Sequence, residues 1–488
     1  MSRISVSNLT FAYEGSYDNV FENISFQIDT DWKLGLIGRN GKGKTTFLKL
    51  LLGLYEYQGT ISSEGGFDYF PFQVDDPDLG VMEIAEQINP DCQQWQLKKE
   101  LSLLEMPDDV LYRTFRYLSK GEQTKVLLAI LFLKENDLLL IDEPTNHLDQ
   151  EGRKIVGEYL KLKKGFVLVS HDRAFLDHCV DHILSINQAN IEVQKGNFSS
   201  WFVNKQLQDQ FEMAENEKLK KEIQKLDIAA KRTAGWSMQV EKSKYGNGPV
   251  DRGYIGHKSA KMMKRAKTTE KRQEAALQDK ANLLKNLDHA ETLRIMPQKY
   301  HQDTLVDLNQ ISIYYGDDMV CENISFQIKQ GDRIALNGKN GSGKSSLLKL
   351  VKGEALSYSG DFRKGSNLII SYVSQDTSFL QGGLAEFTQT RSIEESFLKA
   401  MLRKLDFKRE QFDKNMEDFS EGQKKKVLIA ASLCEKAHLY IWDEPLNFID
   451  VFSRMQIEEL LMACQPTILF VEHDLAFTEK IATQIVRL

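Results

Sequence analysis

The string ENISFQI stands at Glu22–Ile28 and recurs letter for letter at Glu322–Ile328. The residues after each copy agree as well: LGLIGRNGKGKTTFLKLLLG in the first half and IALNGKNGSGKSSLLKLVKG in the second. Lys44 and Lys344 hold matching places, and later matches keep an offset of 300 to 302 residues. Such self-similarity has to be settled before any local element, because it sets the number of domains. One fold is therefore written twice, at 1–203 and 298–488. The two copies flank an insert at 204–297 that has no second copy.

With 41% hydrophobic residues in 488, each half can bury its own core. No stretch reaches the roughly 18 uninterrupted apolar residues of a membrane helix, and MSRISVSNLTFAYEG lacks the basic-then-apolar layout of a signal peptide. A cytoplasmic chain with no membrane partner is expected. The five cysteines, Cys92, Cys179, Cys321, Cys434 and Cys464, contain no C-x-x-C pair, so neither a disulfide framework nor a zinc site is indicated.

GRNGKGKT (Gly38–Thr45) and GKNGSGKS (Gly338–Ser345) both match G-x-x-x-x-G-K-[ST], each after an apolar strand and before a helix-like run. Such a loop curls its backbone N–H groups around phosphate oxygens, which requires glycine where a Cβ would obstruct. The expected nucleotide-binding residues are Gly38, Asn40, Gly41, Gly43, Lys44, Thr45 and Thr46, with Gly338, Asn340, Gly341, Gly343, Lys344, Ser345 and Ser346 in the second copy. The lysines would reach the β- and γ-phosphates, and the Thr45 and Ser345 hydroxyls would meet Mg²⁺. About a hundred residues on, LLLIDEP and LYIWDEP put an apolar strand before Asp-Glu. Asp142 and Asp443 are expected at Mg²⁺, and Glu143 and Glu444 at the attacking water. LVSHD and FVEHD add His171 and His473 past a further strand, in reach of a γ-phosphate.

The insert has a different texture. Leu219, Ile223, Leu226 and Ala230 recur at 4-3-4 spacing, and Leu277, Ala281 and Leu284 at 4-3, while AGWSMQVEKSKYGNGPVDRGYIG between them breaks the period. Two antiparallel helices with an irregular tip near 240–258 are expected, reaching about 40 to 50 Å. Between 231 and 272 there are twelve Lys/Arg and three acids, a net charge of +9 in a chain whose total is −7. Positive charge gathered on one arm of an acidic chain suits a polyanion.

LSKGEQ (Leu118–Gln123) and FSEGQK (Phe419–Lys424) resemble the LSGGQ signature of ATP-binding cassette domains. Gln73 and Gln375 sit where that family carries a glutamine that meets Mg²⁺, and Tyr13 and Tyr315 match the aromatic that stacks on adenine. The resemblance implies α/β P-loop domains paired head to tail, with one ATP held by Lys44, Glu143, Ser420 and Gly422 and another by Lys344, Glu444, Ser119 and Gly121. Lys120 and Glu421 depart from the signature's third residue, and Phe419 from its first. DEPTNHLD, SHDRAFLD and GNFSSW closely resemble the ABC-F class, twin-cassette proteins that act on ribosomes.

DEPLNFID in the second half, the long insert and GWSMQVEKSKYG look like the antibiotic-resistance members of the Lsa and Vga type. That resemblance implies a monomeric ATPase that binds the 70S ribosome. Its hairpin would pass through the E site beside the P-site tRNA and release lincosamides, streptogramin A compounds and pleuromutilins. Tyr254, Ile255 and His257 would then supply shape and stacking near 23S rRNA, and Lys261, Lys264, Arg265 and Lys267 would grip phosphates. The alternatives are a housekeeping ABC-F factor for stalled ribosomes, and a transporter-associated or DNA-directed cassette ATPase whose arm docks a protein.

Overall fold

A computed structural model describes residues 3–14, 19–134, 138–186, 191–242, 295 and 297–488, with the backbone alone at 219, 220, 222, 223 and 226–242. The chain divides into two compact units, 1–201 with 290–488, and 202–289. Both copies of the repeat fall in the first unit.

In the first copy a six-stranded sheet runs in the order Phe67–Phe70, Leu138–Asp142, Phe166–Val169, Lys33–Gly38, His182–Ile186, Ile191–Lys195. All neighbours are parallel except the last pair. The second copy has five parallel strands: Ile370–Val373, Leu439–Asp443, Ile468–Val471, Arg333–Asn337 and Gln484–Arg487. Helices cover both faces of such a sheet, so its central strands are apolar throughout. LLLI of Leu138–Asp142 and FVLV of Phe166–Val169 are buried at every position. This strand order sets the ends of Lys33–Gly38, Leu138–Asp142 and Phe166–Val169 side by side. The phosphate loop, the Asp-Glu pair and the histidine consequently meet at one sheet edge, where open α/β sheets hold their ligands.

Each copy also carries a three-stranded antiparallel sheet: Phe21–Asp29, Arg3–Phe11, Gln58–Ser62 in one, and Asp318–Lys329, Thr304–Tyr315, Ser357–Lys364 in the other. The repeated ENISFQI is an edge strand of these sheets. In the second copy Ile324, Phe326 and Ile328 are buried and alternate with exposed residues, the period-two pattern of a strand with one face on the core. The string that reveals the duplication is thus a packing motif.

The signature segments begin helices, Lys120–Leu131 and Glu421–Cys434. Ser119 Oγ accepts from Glu122 N and Ser420 Oγ from Gln423 N, both at 3.3 Å. The Glu122 and Gln423 side chains accept in return from the serine N–H groups, at 2.8 and 3.0 Å. This reciprocal capping satisfies donors that a helix start leaves free.

The second unit contains most of a 45-residue helix, Phe198–Lys242. It starts six residues ahead of the boundary expected at 204. It also continues through AGWSMQVEK, where a break is expected. A lone Gly235 costs only about 1 kcal/mol relative to alanine. The 219–230 apolar stripe lies on this helix, but its side chains are outside the described residues. So are Leu277, Ala281 and Leu284, and the tip residues Tyr254, Ile255, His257, Lys261, Lys264, Arg265 and Lys267. All five cysteines are free. Among the described residues no helix is long and apolar enough to cross a membrane.

Candidate active sites

Each phosphate loop is shaped by left-handed glycines: φ is 76° and 96° at Gly41 and Gly43, and 83° and 85° at Gly341 and Gly343. At Gly43 a Cβ would stand 2.7 Å from Val20 Cγ1 and 2.8 Å from Phe21 Cζ, so both backbone and space demand glycine. Lys44 Nζ donates to Gly38 O at 2.7 Å, and Lys344 Nζ to Gly338 O at 2.8 Å and Lys339 O at 2.7 Å. These bonds hold each ammonium inside its own loop. Burial lowers the Lys44 pKa, opposed by the charges of Asp450, Glu143 and Asp142.

Thr45 Oγ1 donates to Asp142 Oδ2 at 2.9 Å, and Ser345 Oγ to Asp443 Oδ1 at 3.2 Å. A hydroxyl beside a carboxylate at the mouth of a phosphate loop is the oxygen donor set that Mg²⁺ takes when phosphates and water complete its shell. Burial pushes Asp443 up to about 6 and raises Asp142 as well. Tyr69, which the motifs did not single out, donates its hydroxyl to Asp142 at 3.1 Å. Tyr13 and Tyr315 are 44% and 46% exposed. Their hydroxyls are tied to the loop helices at Thr46 (2.5 Å) and Ser346 (3.3 Å).

Glu143 and Glu444 share a left-handed backbone, φ 51° and 46°, that few glutamates adopt. His171 Nε2 and His473 Nε2 each lie 3.3 Å from a carboxylate oxygen of their own glutamate. Beyond that the two centres differ. Glu444 accepts from Gln375 Nε2 and Asn447 Nδ2, both at 2.7 Å. Lys425 Nζ stands on the Glu444 and Ser374 carbonyls at 3.2 and 2.9 Å. Burial alone would raise the Glu444 pKa, but His473, Gln375 and Lys425 outweigh it and lower it. Both Glu143 oxygens are enclosed, with the His171 ring and backbone N–H beside them but no side-chain amide donor among the described residues. Burial and then Asp142 push its carboxyl up to about 8. Burial and then the Lys44 charge lower the His171 pKa well below its ordinary value.

Sheet register explains part of this difference. Phe70 pairs with Ile141 and Val373 with Trp442, each just before the site aspartate. The counterpart of Gln375 is therefore Phe72, which lines the cavity of about 580 Å³ around Asp142 and Glu143. Gln73 comes one residue later, is exposed, and makes no hydrogen bond to the site among the described residues. Lys425 has Thr124 as its counterpart, so the sequence signal for its role was a difference between the copies rather than a match.

The two copies pack head to tail within the first unit. Asn40 Nδ2 donates to Phe448 O at 2.8 Å. Gly422 lies so close that a Cβ there would meet Phe448 O at 2.6 Å and Asn40 Nδ2 at 3.1 Å. Arg39 pairs with Asp406 and covers the Phe452 ring. In the other direction Asn337 Nδ2 donates to Gln150 Oε1 at 2.9 Å. A cavity of about 400 Å³ is lined by Lys344, Ser345, Gln375 and Glu444 from the second copy and by Lys120, Asn146 and His147 from the first. Ser119 and Gly121 border the adjoining cleft with Lys339 and Asn340. Each phosphate loop thus faces the other copy's signature helix.

Paired P-loop domains with this constellation define a twin-cassette ATPase. The model of the ABC transporter family matches residues 21–146 and 321–447. The ribosome protection protein VmlR of Bacillus subtilis (strain 168) is 29% identical, across 98% of this chain and 85% of its own length. ABC transporter F family member 2 of Arabidopsis thaliana is 24% identical, across 99% and 75%. The fold is also that of archaeal ABCE1, solved in complex with the ribosomal stalk protein aP1: TM-score 0.65 and 19% identity over 98% of this chain and 87% of that one. The chain belongs to the ABC transporter family, in its ABC-F branch, and is an ATPase.

Proposed function

We propose that this ABC-F ATPase binds the 70S ribosome and protects it from antibiotics of the peptidyl-transferase centre. Its insert would pass through the E site beside the P-site tRNA and promote drug release. The observation that carries this reading is the likeness to a ribosome protection protein along 98% of the chain. The net +9 at 231–272 supports it, since affinity for rRNA rests largely on neutralised phosphates.

In this reading ATP lies between the two copies. Lys44 and Lys344 bind its β- and γ-phosphates, Tyr13 and Tyr315 stack on adenine, and Ser119, Gly121, Ser420 and Gly422 close on the γ-phosphate from the opposite copy. Thr45 with Asp142, and Ser345 with Asp443, would hold Mg²⁺, which would supply positive charge against the transferring phosphate. Gln375, which donates to Glu444, would help hold the metal as well. Glu143 and Glu444 take a proton from the attacking water, and His171 and His473 hold those carboxylates in place. Binding closes the pair and hydrolysis reopens it, so the insert's grip on rRNA follows the nucleotide.

Inhibitory concentrations of lincomycin, tiamulin and erythromycin in a susceptible host expressing the chain test this function. Protection against lincomycin and tiamulin is expected to vanish both in Glu143→Gln with Glu444→Gln and on deletion of 246–256. Resistance that survives the deletion rejects the role of the insert's tip. If no concentration changes while the double variant co-sediments with ribosomes, the chain is a translation factor without a protective role.

A further inference from the structure

Lys120 and Glu421 occupy the same place in the two copies, directly after the capping serines Ser119 and Ser420. They are opposite in charge, and the structure puts them to different uses. Lys120 is exposed and borders two cavities, the one that holds Lys344, Ser345 and Glu444 and the one around Asp142 and Glu143 of its own copy. Its amine donates to Gln123 on its own helix at 3.2 Å, a neutral partner that it can exchange for an anion. Glu421 is turned toward its own copy, accepting from Thr377 Oγ1 at 2.5 Å and from Lys424 Nζ at 3.4 Å. A second position repeats the contrast. His147 borders the Lys344 cavity and feels the charges of both Lys120 and Glu444, whereas its counterpart is Phe448.

We propose that Lys120 is a phosphate-binding cation of the nucleotide site built on Lys344, and that it gives this site a tighter hold on the terminal phosphates of ATP than the site built on Lys44. A lysine presents three donors on a flexible stem and shifts to follow a phosphate oxygen, so no fixed geometry is needed in advance. Between two packed domains its charge is also less screened than on an open surface. The signature helix that faces the Lys44 loop has a carboxylate at the same place, already engaged by Thr377 and Lys424.

This rests on the assignment of the two nucleotide sites, which single Glu143→Gln and Glu444→Gln variants check first: each should lower phosphate release. The full-length double Glu→Gln chain is then titrated with ATP and with ADP. Two classes of ATP site are expected, differing about tenfold, the scale of one charge-assisted hydrogen bond. Lys344→Ala should remove the tighter class and Lys44→Ala the weaker. Adding Lys120→Gln should weaken the tighter class about tenfold for ATP and much less for ADP, and Lys120→Arg should restore it. Steady-state turnover in the Glu143→Gln background should show the same change as a rise in KM with little change in kcat. An ATP affinity of the Lys344 site that Lys120→Gln leaves untouched, or an equal loss for ADP, would overturn the proposal. Undiminished phosphate release in the single Glu→Gln variants would instead remove the site assignment beneath it.

Discussion

Arg173 of the first copy pairs with Glu458 of the second, whose carboxylate is wholly enclosed and also accepts from Lys480 at 3.0 Å. The positions related by the repeat are Leu475 and Gly157, which border a cavity of about 270 Å³ instead of forming an ion pair. Stripping Arg173 leaves a buried charge with one partner fewer. Breaking a buried pair costs about 3–5 kcal/mol, and Lys480 should hold the loss to about 2 kcal/mol. Arg173→Ala is expected to lower Tm in a thermal melt, and Arg173→Leu with Glu458→Gln to recover most of it. A melt of Arg173→Ala that matches the wild type would mean the pair contributes nothing to cohesion.

Asp450 makes two contributions. It caps the helix Val451–Cys464 through Ser453 N at 2.9 Å, and it pairs with Lys426 at 2.9 Å, both side chains being buried. Burial alone would raise its pKa, but the charges of Lys426 and Lys44 outweigh it and hold the carboxyl well below the ordinary range. A depressed folded-state pKa stabilises above the unfolded value of about 3.9 and loses that contribution as pH falls below it. Asp450→Asn keeps a capping oxygen but leaves Lys426 unpaired, at a cost of about 3 kcal/mol. The gap in Tm should be constant from pH 8 to 5 and shrink below about pH 4; a gap that widens in acid would contradict the pairing.

The two glutamates should answer differently to removal. Glu444 is held by Gln375 and Asn447 at 2.7 Å, while Glu143 has no side-chain amide donor among the described residues. Glu444→Gln is expected to take most of the phosphate release, a loss on the order of a hundredfold at its own site. Glu143→Gln should take the smaller share, and the double variant should be silent. Equal losses from the two single variants would show that this difference in hydrogen bonding does not reach the rate.

Tyr13 and Tyr315 are anchored at the hydroxyl and remain half-exposed. Loss of a stacked base costs about 1–3 kcal/mol. Tyr13→Ala and Tyr315→Ala should therefore each raise the KM for ATP about tenfold, while Tyr→Phe, which keeps the ring, should not. An unchanged KM in both alanine variants would place adenine elsewhere.

Much of this architecture is legible because the chain supplies its own alignment. Lys44 and Lys344, Asp142 and Asp443, or His171 and His473 can each be read against a second copy, and apolar strands before them fix their places at a sheet edge. The features that escape are those that matching one copy to the other does not reach. Gln73 reads as the equivalent of Gln375, but pairing of Phe70 with Ile141 puts Phe72 at that place. Arg173 and Glu458 lie 285 residues apart, and the other copy has leucine and glycine at the matching places. Lys425 entered one copy only. The helix Phe198–Lys242 outruns its expected end because one glycine is a weaker stop than it reads.

A symmetric homodimer obeys a palindrome: any substitution appears on both sides of the twofold axis, so an arginine added on one surface is added on its mate. Here both halves are encoded in tandem, and that restriction is lifted. Arg173 could meet an acid at Glu458 while Leu475 met Gly157, each junction drifting under its own selection. Tandem fusion thereby turns two interchangeable partners into a left and a right half, and handed machinery can be ordered in time: one side can fire before the other.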